Sequence, residues 1–379
     1  MIFLHLSDLH LGKSVHEFPM LEDQEHILKA ILGVADAERP QAVLVAGDVF
    51  DRTVAPTEAL RLFDDFLDGL VRRNVEVFVI SGNHDSADRL AFGARFMDRS
   101  GVHIARAYDG GATPFRLADE HGEVRLHLLP FLKPAQVRQR FPAPEGATWT
   151  DAVKTVIGRM GVDEGERNIL LAHQFVTGAK TCESEEASVG GADNVDVEAF
   201  APFDYVALGH LHGAQCVGRE TVRYCGSPLK YSFSETGHKK SVTVVNLAEK
   251  GRVEIKEAPL APRRDMREIR GTYLEVTARE SYRGQSTDDY IRVTLTDEDD
   301  QPDAVGKLRV IYPNLMRLDY DNTRTRSGGA PASAAPDAGR HTPLQLFDRF
   351  FEEQNGRPLS DAQRSYLQDL IGQVWEEAQ

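Results

Sequence analysis

The sequence is short of cysteine, of long apolar runs and of positive charge, and each shortage excludes something. Its three cysteines, Cys182, Cys216 and Cys225, form no close-spaced ligand pattern, and an odd number gives no disulfide framework, so they read as reduced bystanders. No apolar run approaches the roughly eighteen residues a membrane span needs. The chain passes from Met1 into a strand-like run without a basic stretch or a cleavage site, so a cytoplasmic location is expected. Lysine and arginine number 44 against 59 acidic residues, a formal charge of -15. That argues against a general nucleic-acid coat protein, which needs a basic surface to displace counterions. It does not exclude an enzyme acting on nucleic acid, because bound cations offset clustered acids locally. At 379 residues the chain is too long for one ordinary core, and two or three domains are expected.

What the chain does have is five apolar runs that each end in metal-binding chemistry. Ile2 to Leu6 precedes Asp8-Leu9-His10, and Ala42 to Val45 precedes Gly47-Asp48. Val75 to Ile80 precedes Gly82-Asn83-His84-Asp85, Ile169 to Ala172 precedes His173, and Tyr205 to Leu208 precedes Gly209-His210-Leu211-His212. Open α/β sheets place ligands at the carboxyl ends of their strands, so these donors gather where a pair of divalent ions would sit. Asp8 and His10 can leave a strand end on one side, and Asp48 can bridge two cations through its separate oxygens. Asn83 offers a neutral carbonyl oxygen, His84 an imidazole able to give a proton, and Asp85 a group to orient its neighbours. Carboxylate, amide and imidazole without thiolate suit Mn²⁺, with Fe²⁺, Zn²⁺ or Co²⁺ chemically possible. Two such ions about 4 Å apart generate hydroxide at neutral pH and clamp a phosphodiester, so phosphate-ester hydrolysis is implied.

Residues 1 to 260 alternate strand runs with helical patterns such as Glu22 to Asp36 and Thr57 to Arg73, the mark of an α/β domain. In the second helix Leu60, Phe63, Leu67 and Leu70 would serve its own core, leaving Leu62 and Phe66 on a neighbouring face. Leu90, Phe92, Phe96 and Met97 likewise exceed what one face needs, so a homodimer through these segments is expected. Residues 261 to 320, with strand candidates at Thr272 to Thr277, Tyr290 to Leu295 and Lys307 to Ile311, read as a small α+β unit. Residues 321 to 341 carry no large apolar side chain and read as a flexible linker. Residues 342 to 379 read as a helix pair. Thr342-Pro343 starts the first helix, Leu344, Phe347, Phe350 and Phe351 share a face, and Asn355-Gly356 stops it. Ser360 caps the second, with Leu367, Leu370, Ile371, Val374 and Ala378 on one face. So small a pair has no core of its own, and its aromatic stripe is expected to meet another chain.

In this order the motifs resemble those of the calcineurin-like metallophosphoesterases. Within them, Ser7-Asp8-Leu9-His10-Leu11-Gly12, Gly47-Asp48-Val49-Phe50-Asp51 and Gly226-Ser227-Pro228-Leu229-Lys230-Tyr231-Ser232-Phe233-Ser234-Glu235 resemble the SbcD branch, the nuclease subunits of bacterial SbcCD complexes. The resemblance spans nearly the whole chain. It implies an α/β fold, a β-sandwich flanked by helices, with a small α+β capping domain that helps select DNA and a C-terminal helix-loop-helix that docks on the coiled coil of an SbcC-like ATPase. It implies one ion on Asp8, His10 and His212, a second on Asn83, His173 and His210, and Asp48 bridging. His84 would face the scissile phosphate as proton donor or transition-state stabiliser. Where archaeal relatives carry a second active-site histidine this chain has Asp51, whose role is open.

The implied function is a Mn²⁺-dependent DNA nuclease, acting 3′ to 5′ on duplex ends and cutting single strands and hairpins in double-strand-break repair, replication and recombination. It would work as a homodimer within a heterotetramer, nucleoid-associated when acting. Lys230, Tyr231, Ser232 and Ser234 supply donor types for a DNA backbone. One rival is a phosphoesterase for a small-molecule phosphodiester, against which the linker and aromatic helix pair argue. Another is a DNA-tethering scaffold with a vestigial site, against which the full donor set argues.

Overall fold

All five apolar runs are strands: Ile2–Leu6, Ala42–Ala46, Glu76–Ile80, Arg167–His173 and Tyr205–Gly209. The computed structural model describes residues 1–111, 113–141, 147–185, 194–326 and 342–377. The chain divides into two units, Met1–Met266 and Arg267–Gln379.

The first unit holds two six-stranded sheets. In one, Val253–Pro259, Ser241–Leu247, Ile2–Leu6, Ala42–Ala46, Glu76–Ile80 and Val102–Ile104 lie side by side. In the other the order is Gln215–Val217, Arg219–Tyr224, Tyr205–Gly209, Arg167–His173, Gly122–Leu129 and Phe115–Asp119. The five strands that end in the candidate donors pair in parallel within their sheets, and Gly209 stands opposite His173. Side chains alternate between faces along a strand. Thus Phe3, Leu44, Ala46, Phe78 and Ile80 of one sheet meet Ile169, Leu171, Tyr205 and Ala207 of the other in a shared core. The alternate residues Leu170, Ala172, Val206 and Leu208 pack beneath the helix Trp149–Ile157. Helices Leu21–Glu38 and Thr57–Val71 pack on each other. The architecture is a helix-flanked sandwich.

In Thr57–Val71 the buried residues are Ala59, Phe63, Phe66, Leu67 and Leu70, whereas Leu60 is 49% exposed. Phe66 and not Leu60 therefore serves the core: the two lie on opposite borders of the stripe through 63, 67 and 70, and the border covered is the one that carries Ala59 and Phe66. Phe92 and Phe96 are 84% and 78% exposed.

The second unit carries the three-stranded sheet Met266–Gly271, Tyr290–Leu295 and Leu315–Tyr320. Two of the expected strands are helices instead. Tyr273–Thr277 is helical because Thr272 and Glu275 form a reciprocal capping box. Ala304–Arg309 is helical because Ala304, Leu308 and Tyr312 recur at a spacing of four and reach one core. The unit also runs past residue 320: Asn322 is buried, and its side-chain amide donates to the Asp297 carbonyl at 3.2 Å. The remainder of the expected linker, 327–341, and Ala378 lie outside the described residues.

Helix Pro343–Asn355 starts on Thr342, whose hydroxyl accepts the Gln345 N–H at 3.3 Å, and stops at a left-handed Gly356. Phe347 and Phe350 are exposed with ring centroids 6.1 Å apart, while Phe351 is half-buried. Asp361–Glu377 follows, and no described helix is long and apolar enough to cross a membrane.

Candidate metal centre

Every donor named from the sequence emerges at a strand's carboxyl end, and the backbone bends sharply to deliver it. Asp8, His10, Asp48 and His210 adopt left-handed φ of 53, 43, 50 and 102°. Aspartate and histidine are among the few non-glycine residues that tolerate this region. Gly209 lets the two sheets close on each other, since a Cβ there would overlap the Ala46 carbonyl oxygen and lie 2.7 Å from His173 Nδ1. Gly82 lets its loop meet Asp48, whose carboxylate would collide with a side chain at that position.

The donors fall into two overlapping sets. Ligand atoms of Asp8, His10 and His212 lie within 4.8 Å of one another, as do those of Asp8, Asp48 and His173 and those of His10, Asp48 and His84 at the edge of the group. His10 Nε2 is 3.1 Å from His212 Nε2. Asn83 Oδ1 is 3.0 Å from His173 Nε2 and 2.9 Å from His210 Nδ1. Asp48 joins the sets, with Oδ2 at 3.4 Å from His173 Nε2 and 3.9 Å from His10 Nε2. Its Oδ1 accepts the His84 N–H at 2.9 Å, so one oxygen, not two separate ones, faces both sets.

The sets fit a pair of cations. His212 Nδ1 lies 3.1 Å from Glu235 Oε1 and His173 Nδ1 2.7 Å from the Ala46 carbonyl, both of which can only accept when the carboxylate is ionised. Each ring therefore places its proton on Nδ1 and turns a lone pair, through Nε2, toward other acceptors. A cation, or a proton in its stead, resolves that opposition.

The charges agree. Burial pushes the Asp8 carboxyl up, to about 6, against the pull of His173 and His212. Burial also raises Asp48, but the neighbouring His173 and His10 outweigh it and hold this carboxyl well below the usual range. Burial depresses His173, yet Asp48 and Asp8 overcome it and lift the imidazole to about 9. His10 and His210 are pushed down by burial to about 4 and about 3, so both stand neutral and able to ligate.

His84 is half-buried at the edge of the group, 4.9 Å from the His10 ring, with Nδ1 3.1 Å from the Asp51 carbonyl. Asp85 does not touch the His84 ring in its bonding; its carboxylate accepts the N–H groups of Val49, Phe50 and Gly82 at 3.1, 3.0 and 3.0 Å. It shapes the turn that carries Asp48. Burial raises its own carboxyl to about 6.

The Gly226 to Glu235 segment is mostly internal. Tyr231 is buried and donates to the Leu9 carbonyl, and Lys230 is held by the Thr236 carbonyl at 2.9 Å and Asp265 at 2.8 Å. Sequence reasoning missed Glu235, Lys240, Lys13 and Gln24, which lie behind the candidate donors. Gln24 donates to the His10 carbonyl at 2.7 Å and accepts the Gly12 N–H at 2.9 Å. Cys182 also comes near His212 and Glu235, although the Glu235 oxygens already serve His212, Ser184 and Lys240.

The family model for calcineurin-like phosphoesterases matches residues 1–214, which contain every one of these donors. The chain belongs to the calcineurin-like phosphoesterase family. A second model, the type 5 capsule protein repressor C-terminal domain, matches residues 262–355 of this phosphoesterase. Over 378 residues the phosphoesterase is 28% identical to the SbcD subunit of the nuclease SbcCD of Staphylococcus epidermidis, covering 98% of each chain. Among solved structures it aligns with a dimetal phosphatase from Danio rerio at 14% identity, over 68% of this chain and 96% of that one, with a TM-score of 0.42. A Thermus thermophilus protein aligns at 12% identity, over 68% and 98% of the two chains, with a TM-score of 0.38.

Proposed function

We propose that this phosphoesterase is the nuclease subunit of an SbcCD-type complex, a two-metal DNA phosphodiesterase partnered by an SbcC-like coiled-coil ATPase. The observation that carries the reading is the end-to-end similarity to an SbcD subunit, which takes in the small unit and the helix pair as well as the sandwich. In this reading Asp8, His10 and His212 hold one ion, Asn83, His173 and His210 the other, and Asp48 lies between them. The donor set favours Mn²⁺. When bound, the ions supply a hydroxide at neutral pH and positive charge for the phosphate oxygens.

The chain's own groups do the rest. The Asp51 carbonyl accepts from His84 Nδ1 and fixes the ring, so that Nε2 would give its proton to the leaving oxygen when the ring is in its doubly protonated form. Asp85 locks the turn that keeps Asp48 facing both donor sets. The capping unit would select DNA, and exposed Phe347 and Phe350 would enter the ATPase's coiled coil. Exposed Phe92 and Phe96 would serve a homodimer within the heterotetramer. The activities would be 3′ to 5′ exonuclease on duplex ends and endonuclease on single strands and hairpins, in repair, replication and recombination.

End-labelled duplex and hairpin DNA, incubated with Mn²⁺ with and without the ATPase partner, tests the reading against bis-p-nitrophenyl phosphate. Metal-dependent DNA cleavage, enlarged on duplex ends by the partner and ATP, is expected. Turnover of the small ester with no DNA cleavage under either condition would replace the nuclease with the small-molecule enzyme.

A further inference from the structure

His10 and His212 each face, through Nδ1, a carboxylate that also takes a lysine. Behind His212, Nδ1 lies 3.1 Å from Glu235 Oε1, and the other Glu235 oxygen takes Lys240 Nζ at 2.5 Å. Behind His10, Nδ1 lies 3.5 Å from Asp51 Oδ1, at the outer limit of a hydrogen bond, and Asp51 takes Lys13 Nζ at 2.6 Å. That His10 nitrogen is buried and has no hydrogen-bond partner among the described residues. The two carboxylates come from unrelated segments. Asp51 follows the turn after Ala42–Ala46, while Glu235 closes the short helical turn Phe233–Glu235. His173 differs, since its Nδ1 meets only the neutral Ala46 carbonyl.

We propose that Asp51 and Glu235 are paired positioning residues for the metal position formed by Asp8, His10 and His212. Glu235 holds His212, and Asp51 would hold His10, with the proton on Nδ1 and the Nε2 lone pair toward the cation, and each carboxylate is neutralised by its own lysine. The lysines matter because an unpaired carboxylate, buried at Glu235 and partly buried at Asp51, would be costly. Asp51 has a second attachment, its carbonyl on His84 Nδ1 at 3.1 Å, so one residue sets both a ligand and the group proposed to act on the substrate. Two acidic arms on one position, against a neutral carbonyl on the other, also make the two positions unequal in their hold on metal. The inference rests on the two-metal reading above.

The test is Mn²⁺ binding to the full chain, followed through free Mn²⁺ by electron paramagnetic resonance, for the parent, Asp51→Asn, Glu235→Gln and the double variant. Thermal midpoints in EDTA run alongside. The parent should load two ions, and each single variant should weaken one step by about 10–100-fold, leaving the other unchanged. The double variant should weaken the same step further. Unchanged steps in both single variants overturn the pairing, as does a parallel weakening of both steps with a lower midpoint in EDTA, which marks a merely structural role. Glu235 is fully buried; if its variant does not fold, Asp51→Asn and Lys13→Met, both partly exposed, decide the matter by the same one-step loss. A parent that binds no Mn²⁺ overturns the metal reading itself.

Discussion

His173 Nε2 stands 3.4 Å from Asp48 Oδ2 while its other ring nitrogen is held at 2.7 Å by the Ala46 carbonyl. Burial works against the imidazolium, but the Asp48 and Asp8 charges prevail and lift it to about 9. At pH 7.5 the metal-free ring is therefore protonated. A ligating nitrogen must give that proton up, so metal uptake should release about one proton, and affinity should rise with pH up to roughly 9. Asp8 adds the same sign below about 6, where its acid form competes with metal. Calorimetric titration with Mn²⁺ in two buffers of different ionisation enthalpy counts the protons; none released at pH 7.5 would refute the assignment of His173 as a ligand.

Asp48→Asn should lower hydrolysis of every substrate by more than about a hundredfold, since it weakens the group facing both donor sets. The same change removes the charge that keeps His173 protonated. Proton release on metal binding should therefore shrink, which separates this variant from one that is misfolded. Rates on DNA and on the nitrophenyl ester, with the buffer comparison repeated, check both halves.

His84→Ala should keep two metals per chain and slow DNA cleavage by about a hundredfold or more, while bis-p-nitrophenyl phosphate suffers far less. Nitrophenolate leaves without a proton, whereas the sugar alkoxide of DNA does not. Equal loss on both substrates would speak for stabilisation of the phosphate, and loss of metal by elemental analysis would make His84 a ligand.

Two glycine substitutions should differ in sign. Gly209→Ala drives a methyl into the Ala46 carbonyl where the sheets converge, and should destabilise by about 3 kcal/mol or more. Gly33→Ala lies within the helix Leu21–Glu38 with nothing within 4 Å of its Cβ, and should stabilise by roughly 0.5–1 kcal/mol. Urea unfolding of the metal-free proteins reads both.

Phe347→Asp with Phe350→Asp places two charges on the exposed aromatic face of helix Pro343–Asn355. Loss of co-purification with the ATPase is expected at a cost of several kcal/mol to the contact, on the order of the burial penalty for a charge. Nicking of single-stranded DNA should persist. Retained co-purification would move the docking surface elsewhere.

The strands were legible because each is a largely apolar run ended by glycine, serine or a candidate ligand, and such runs are what a strand buried on both faces requires. The donors were legible for the same reason, as polar residues stranded at the ends of those runs. Their supports were not. Asp51 meets His10 across 41 residues and Glu235 meets His212 across 23, contacts that no local period encodes. In the small unit, acidic surroundings and β-branched residues concealed two short helices, although the Thr272–Glu275 capping box was there to be read. Leu60 and Phe66 exchanged places because they border the same stripe on opposite sides, and which border is covered depends on what packs against the helix.

The left-handed backbone at Asp8, His10, Asp48 and His210 limits how this centre can be re-engineered. Cysteine or glutamate grafted there would carry a strain of roughly 1 kcal/mol each before any metal bond formed. Selection for a thiophilic ion would thus find its openings at Asn83, His173 and His212, whose φ is not positive, and would leave the other four as the frozen part of the vocabulary.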